Sequence, residues 1–114
     1  MTVLIDSNVA LDVLLNNAGL VAGSSALLDL AAKKRFTGYI SASAVTDIFY
    51  LSQKKLGKKG AKEAIKHLLH TYYAATVTLS ADYIVTRNTQ DFSSGHIPAV
   101  TPEQFMRIVS DIED

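Results

Sequence analysis

The sequence predicts an α/β fold with a parallel central sheet. Short apolar runs bounded by turn residues alternate along the chain with longer segments whose apolar residues recur at helical spacing. The first run, Val3 to Ile5, passes through Asp6-Ser7-Asn8 directly into such a helix. Regular alternation of strand and helix is typical of parallel sheets with crossover helices. At 114 residues, 48% of them hydrophobic, the chain is predicted to be a single domain spanning residues 1–114.

Each element is predicted from its own local pattern. The apolar runs give the strands, and amphipathic spacing gives the helices. The predicted order is strand 3–5, helix 7–16, helix 24–35, strand 36–40, helix 43–56, helix 60–70, strand 73–78, strand 83–86, an extended piece at 99–100 and helix 102–112.

Start and stop residues support the predicted helices. Small polar residues that cap helices precede them: Ser7 with Asp6 as an alternative, Ser24 or Ser25, Ser41 or Ser43, and Thr101. Gly57 is expected to end the third helix. The last helix has Pro102 at its first position and Gln104 at its third, which is typical of a helix start.

The connection between the third and fourth strands is too short for this pattern. Only residues 79–82 separate them, whereas parallel neighbours need a crossover of about a dozen residues or more. The two segments therefore form a hairpin or one bent strand, or a crossover helix is missing. The regular alternation elsewhere favours a fold shortened between strands three and four.

Composition excludes several classes of function. The formal net charge is zero, so attraction to nucleic acid or to a membrane must be local. The chain has no cysteine, which excludes disulfides and thiolate chemistry. Neither a secretion signal nor a membrane span is visible, and a cytoplasmic location is expected.

Three carboxylates are candidates for chemistry. Asp6 follows the first strand, Asp47 lies in the first turn of the third helix, and Asp91 follows the fourth strand. The carboxyl ends of parallel strands meet at one edge of a sheet. Clustered carboxylates there indicate bound Mg²⁺ or Mn²⁺, and such an ion can activate water for attack on a phosphodiester.

Each carboxylate also has a structural interpretation. Asp6 can cap the following helix, Asp47 can complement a helix dipole, and Asp91 can be a turn residue beside the core anchor Phe92. Six of the remaining acids are interpreted as solvated and without a role: Asp12, Asp29, Asp82, Asp111, Glu113 and Asp114.

Three segments together resemble the PIN domain family over nearly the whole chain. They are Leu4-Ile5-Asp6-Ser7-Asn8-Val9 followed by Leu11-Asp12-Val13-Leu14, Ser43-Ala44-Val45-Thr46-Asp47-Ile48, and Ile84-Val85-Thr86-Arg87-Asn88-Thr89-Gln90-Asp91-Phe92. The resemblance implies a three-layer α/β/α sandwich, a Mg²⁺ or Mn²⁺ site built from acidic residues, and cleavage of single-stranded RNA. Many bacterial members resemble the toxin half of a toxin–antitoxin pair, inhibited by a small antitoxin protein.

The resemblance also assigns roles to individual residues. Asp6, Asp47 and Asp91 match the catalytic, metal-binding acids, although the family more often has Glu at the second position. Supporting polar roles fall on Ser7, Asn8, Thr86 and Asn88. A further acid of the family comes from a helix between strands three and four, which this sequence lacks.

A lysine-rich segment is the remaining candidate surface. Lys55, Lys59, Lys62 and Lys66 belong to a local basic face between residues 54 and 66 that could bind RNA phosphates. The alternative is an ordinary solvated helix face.

The predicted function is a divalent-metal-dependent endoribonuclease acting on single-stranded RNA, with an antitoxin as partner. The alternative is a catalytically impaired PIN-like module that binds RNA or a protein partner. Because the fold is shortened, we also expect a homo-oligomer, including one formed by domain swapping.

Overall fold

In the part of the chain that the structure describes, five parallel strands form one sheet in the order β3-β2-β1-β4-β5. The computed structural model describes residues 1–15, 21–70, 72–75, 81–93 and 95–113. All four pairings between neighbouring strands are parallel, which confirms the predicted fold class. The strands are β1 Thr2–Ile5, β2 Thr37–Ser41, β3 Tyr73–Ala75, β4 Tyr83–Val85 and β5 Ala99–Val100.

Among the described residues, four α-helices accompany the sheet. Their bounds are α1 Ser7–Leu14, α2 Val21–Ala32, α3 Ala42–Leu69 and α4 Pro102–Glu113, and a 3₁₀ helix spans Thr89–Phe92. No helix among the described residues is long and apolar enough to span a membrane.

The central strand β1 joins two distant parts of the chain. It pairs with β2 on one side and with β4 on the other. From β1 the chain moves outward to β2 and β3, and it then returns to β4 and moves outward in the other direction to β5. The boundary between β1 and β4 is therefore the topological switch point, where open parallel sheets bind their ligands.

The core lies around this central pair of strands. Val3, Ile5 and Val85 are almost completely buried, and the ring of Phe105 from α4 packs edge-on against that of Phe36. Burial of these apolar side chains is the main force that holds the helices against the sheet.

The third and fourth strands do not form a hairpin, which was one of the alternatives. β3 pairs with β2, whereas β4 pairs with β1, so the two strands are not neighbours. The predicted strand residues 76–78 and most of the connection lie outside the described residues. The missing crossover helix therefore stays a prediction.

Helix α2 differs from its predicted range at both ends. It begins at Val21, ahead of the predicted cap at Ser24 or Ser25, and it ends at Ala32 rather than near Arg35. The end has a physical cause, because Lys34 adopts a left-handed φ of 59°. The amide of Lys34 donates to the Ala31 carbonyl and that of Arg35 to the Leu30 carbonyl, as in a Schellman motif.

The predicted break at Gly57 is confirmed. Gly57 has φ 76° and ψ 169° within α3, a conformation that essentially only glycine adopts. The predicted helices 43–56 and 60–70 are therefore the two halves of α3. Ser41 caps its start, since its hydroxyl oxygen accepts from the Ala44 amide at 3.2 Å.

Candidate functional site

Asp6 occupies the carboxyl end of β1 at the topological switch point. Its backbone amide donates to the Val85 carbonyl of β4 at 2.9 Å. Asp6, not Ser7, is the N-cap of α1, and its Oδ1 accepts from the Ser7 amide at 2.8 Å. Its Oδ2 accepts from the Thr86 hydroxyl at 2.7 Å. The carboxylate is thus held in one orientation by a donor on each oxygen.

Thr86 is the residue that connects the two sides of the switch point. It follows β4 and is completely buried, with its amide bonded to the Val100 carbonyl at 2.9 Å. Its Oγ1 donates to Asp6 and accepts from the Asn88 amide at 3.0 Å and the Asn8 Nδ2 at 3.4 Å. These bonds fix the hydroxyl proton on the Asp6 side.

Asn8 completes the network from α1. Its Oδ1 accepts from the backbone amide of Arg87 at 3.3 Å, while its Nδ2 donates to Thr86. The structure therefore brings together Asp6, Ser7, Asn8, Thr86 and Asn88 from the two ends of the chain.

The other two predicted acids are solvent-exposed. Asp47 is exposed on α3, and Asp91 is exposed in the 3₁₀ helix, where its amide donates to the Asn88 carbonyl at 3.0 Å. The described residues, which include Asp6, Asp47 and Asp91, contain no group of three or more His, Asp or Glu side chains that could hold a metal ion. Their common role in metal binding stays a prediction.

The network contains oxygen donors of the type that bind hard divalent cations. Asp6 offers a carboxylate, and carboxylate and amide oxygens are the donors that Mg²⁺ and Mn²⁺ prefer. An open cavity of about 380 Å³ lies alongside, lined by Arg87, Asn88, Thr89, Gln90 and Asp91. Space and oxygen donors therefore occur together at this edge of the sheet.

The interpretation of Asp12 as a solvated residue is wrong. Its side chain is completely buried, and its Oδ2 lies 2.9 Å from the Nε of Arg87. The hydroxyl of Ser24 donates to the same oxygen at 3.2 Å. The sequence contains one sign that Asp12 is buried. Asp12 lies four residues after Asn8, and so on the same face, in a helix that is apolar on nearly every side.

The predicted lysine surface is exposed on α3. Lys55, Lys59, Lys62 and Lys66 are all solvent-accessible. Lys55 also has a structural contact, since its Nζ donates to the Leu15 carbonyl at the end of α1 at 2.9 Å. The other three lie beyond the break at Gly57.

Comparison with solved structures gives a likeness in fold. A chain in the crystal structure of VapBC2 from Rickettsia felis bound to a DNA fragment from their promoter superposes with a TM-score of 0.63. The match covers 88% of this chain and 97% of that chain, at 14% sequence identity. No curated protein sequence matches this chain.

The sequence itself matches a family profile. The profile is that of the PIN domain and it covers residues 2–78, from β1 through β3. This range includes Asp6, Asn8 and Asp47, whereas Thr86 and Asp91 lie beyond it. With most of its length matched, the chain belongs to the PIN domain family.

Proposed function

We propose that the protein is a divalent-metal-dependent endoribonuclease acting on single-stranded RNA. The observation that carries the proposal is the carboxylate of Asp6, held at the topological switch point between the Ser7 amide and the Thr86 hydroxyl. A bound Mg²⁺ or Mn²⁺ would activate water and stabilise the leaving oxygen of a phosphodiester. Asp6 would hold this ion together with Asp47 and Asp91.

The surrounding polar residues have supporting roles in this proposal. Thr86 and the Ser7 amide orient Asp6, while Asn8 and Asn88 position solvent or phosphate beside it. The exposed basic surface that binds phosphates of the RNA consists mainly of Lys59, Lys62 and Lys66. Lys55 also contributes, although its Nζ donates to the Leu15 carbonyl.

The decisive experiment compares cleavage of a labelled single-stranded RNA by the wild-type protein and by Asp6→Asn in Mn²⁺. Asparagine remains a good helix cap but loses the negative charge, so the fold is retained. Asp29→Asn, at an exposed position on α2, is the matched control. Cleavage should disappear in Asp6→Asn and with chelator, and persist in Asp29→Asn. Equal cleavage by Asp6→Asn and the wild type would overturn the proposal.

The roles of Asp47 and Asp91 need separate tests. Asp47→Asn and Asp91→Asn should each lower the rate of cleavage and the affinity for Mn²⁺. If one variant retains both, that residue is not a ligand, even when Asp6 is.

The basic surface is tested by the variant Lys59→Glu/Lys62→Glu/Lys66→Glu. RNA binding should weaken, and its dependence on salt concentration should become shallower because fewer phosphate contacts remain. Lys33→Glu, which is exposed just after α2, is the control.

A second candidate function is an RNA- or protein-binding module without catalysis. It is favoured by the absence of any group of three potential metal-ligating acids among the described residues. RNA binding without Mn²⁺-dependent cleavage by the wild-type protein would support it.

We further propose that the protein is the toxin of a toxin–antitoxin pair. Membership of the PIN domain family and the likeness to a chain of a VapBC2 structure support this proposal. Expression should arrest growth of a bacterial host, and expression of Asp6→Asn should not.

Size-exclusion chromatography of the purified protein tests the expected homo-oligomer.

A further inference from the structure

Arg87 contacts two successive turns of α1. Its backbone amide donates to Asn8 Oδ1 at 3.3 Å, and its side-chain Nε lies 2.9 Å from Asp12 Oδ2. Asn8 and Asp12 are four residues apart, so they lie on the same face of the helix. One residue of the chain segment after β4 is therefore attached to α1 by both its backbone and its side chain.

The residues on either side of Arg87 belong to the candidate site. Thr86 donates to Asp6 Oδ2, and the Asn88 amide donates to Thr86 Oγ1. Residues 86–88 form one short segment, so a displacement at Arg87 displaces its two neighbours. The direction of the Thr86 hydroxyl thus depends on how firmly Arg87 is held.

Burial makes this attachment specific. The Asp12 side chain is 0% exposed, whereas that of Arg87 is 35% exposed. Ser24 of α2 also donates to Asp12, which fixes the carboxylate from a second helix. A buried ion pair adds little net stability compared with an apolar pair of similar volume, but it constrains the geometry of both partners.

We propose that Arg87 and Asp12 are positioning residues for the candidate site. Their ion pair holds residues 86–88 against α1 and so directs the Thr86 hydroxyl at Asp6. The consequence for metal binding rests on the proposed function, whereas the consequence for the geometry of residues 86–88 does not.

The test uses the double variant Asp12→Leu/Arg87→Met. It replaces the ion pair with apolar side chains and leaves no buried charge, so the fold should be retained. The thermal midpoint should fall slightly, because the buried Ser24 hydroxyl loses its acceptor. Arg107→Met, at an exposed position on α4, is the control. Two quantities are measured in each protein: hydrogen exchange of the backbone amides of residues 87 and 88, and the affinity for Mn²⁺ by calorimetry.

In the double variant, exchange at residues 87 and 88 should become at least about tenfold faster, while exchange at Ile84 in the sheet is unchanged. Affinity for Mn²⁺ should fall by about 10–100-fold, the usual effect of removing a residue that orients a metal ligand. Arg107→Met should change neither quantity.

Unchanged exchange at residues 87 and 88 in the double variant would overturn the inference. Faster exchange with unchanged Mn²⁺ affinity would overturn its functional part. If the wild-type protein itself binds no Mn²⁺, the proposed function fails, and the exchange measurement still decides the structural part.

A second variant covers the case in which the double variant does not fold. Asp12→Ala removes the carboxylate and lets the partly exposed Arg87 side chain turn to solvent. The same acceleration at residues 87 and 88 is expected, and wild-type exchange there would overturn the inference.

Discussion

The Thr86 hydroxyl donates to Asp6 Oδ2 at 2.7 Å, although the two residues lie 80 positions apart in the chain. Thr86→Val keeps the shape of the side chain but removes this donor and the acceptor of the Asn88 amide. We expect the free energy of unfolding to fall by about 1–3 kcal/mol. Urea denaturation measures the change. Thr86→Ser keeps the hydroxyl, so its free energy of unfolding should fall by less. Equal decreases in the two variants would contradict the assigned bonds.

Gly38 allows β2 to approach the ring of Tyr72 closely. A methyl group at this position would overlap the ring atoms of Tyr72, which is itself buried. Gly38→Ala should therefore lower the free energy of unfolding by about 1–3 kcal/mol through overpacking. Gly95→Ala is the control, because a methyl group there would lie at an ordinary 3.5 Å from the Phe92 carbonyl oxygen. Similar free energies of unfolding for both variants in chemical denaturation would refute the close approach of β2 to Tyr72.

Ser52 carries a buried hydroxyl without a hydrogen-bond partner among the described residues. Removing such a group recovers its cost of desolvation, so Ser52→Ala should raise the free energy of unfolding by about 1 kcal/mol. Helix propensity alone also favours alanine over serine, by about 0.5 kcal/mol. The exposed Ser110→Ala on α4 measures that smaller effect. The prediction fails if Ser52→Ala raises the free energy of unfolding by no more than Ser110→Ala does.

Burial raises the pKa of Tyr72 well above its usual range. The folded state favours the neutral phenol, whereas the unfolded chain ionises near the ordinary tyrosine pKa of about 10. Stability from this group is therefore complete below about pH 10 and is lost as the pH rises further. Urea midpoints measured between about pH 9 and about pH 11 should fall in the wild-type protein. The fall should be smaller in Tyr72→Phe, and parallel curves would disprove the assignment.

The features that sequence could predict are those fixed by residues close together in the chain. The capping box of α4 is one example: Thr101 Oγ1 accepts from the Gln104 amide at 3.1 Å, and Gln104 Oε1 accepts from the Thr101 amide at 2.9 Å. The break at Gly57 is another, because its backbone conformation requires glycine regardless of how the helix packs in the fold. The strand-to-helix transition at Asp6 likewise follows from neighbouring residues.

The features that sequence missed depend on partners from elsewhere in the fold. The pattern around Asp12 indicates burial but does not identify its partner, because Arg87 reaches it only when β4 lies beside β1. The predicted grouping of Asp47 and Asp91 with Asp6 stays a prediction, because it needs side-chain positions that no local pattern specifies. The exposure of Asp47 and Asp91 and the bond between Asp6 and Thr86 come from tertiary packing.

The central place of β1 means that the candidate site is divided between two separable pieces of chain. β1, α1 and Asp6 precede α3, whereas β4, Thr86 and Arg87 follow it. A backbone cut between α3 and β4 would leave Asp6 on one fragment and Thr86 on the other. Each fragment would expose an unpaired strand edge that is complementary to the other. The site therefore forms only when these two parts of the chain pair as β1 and β4.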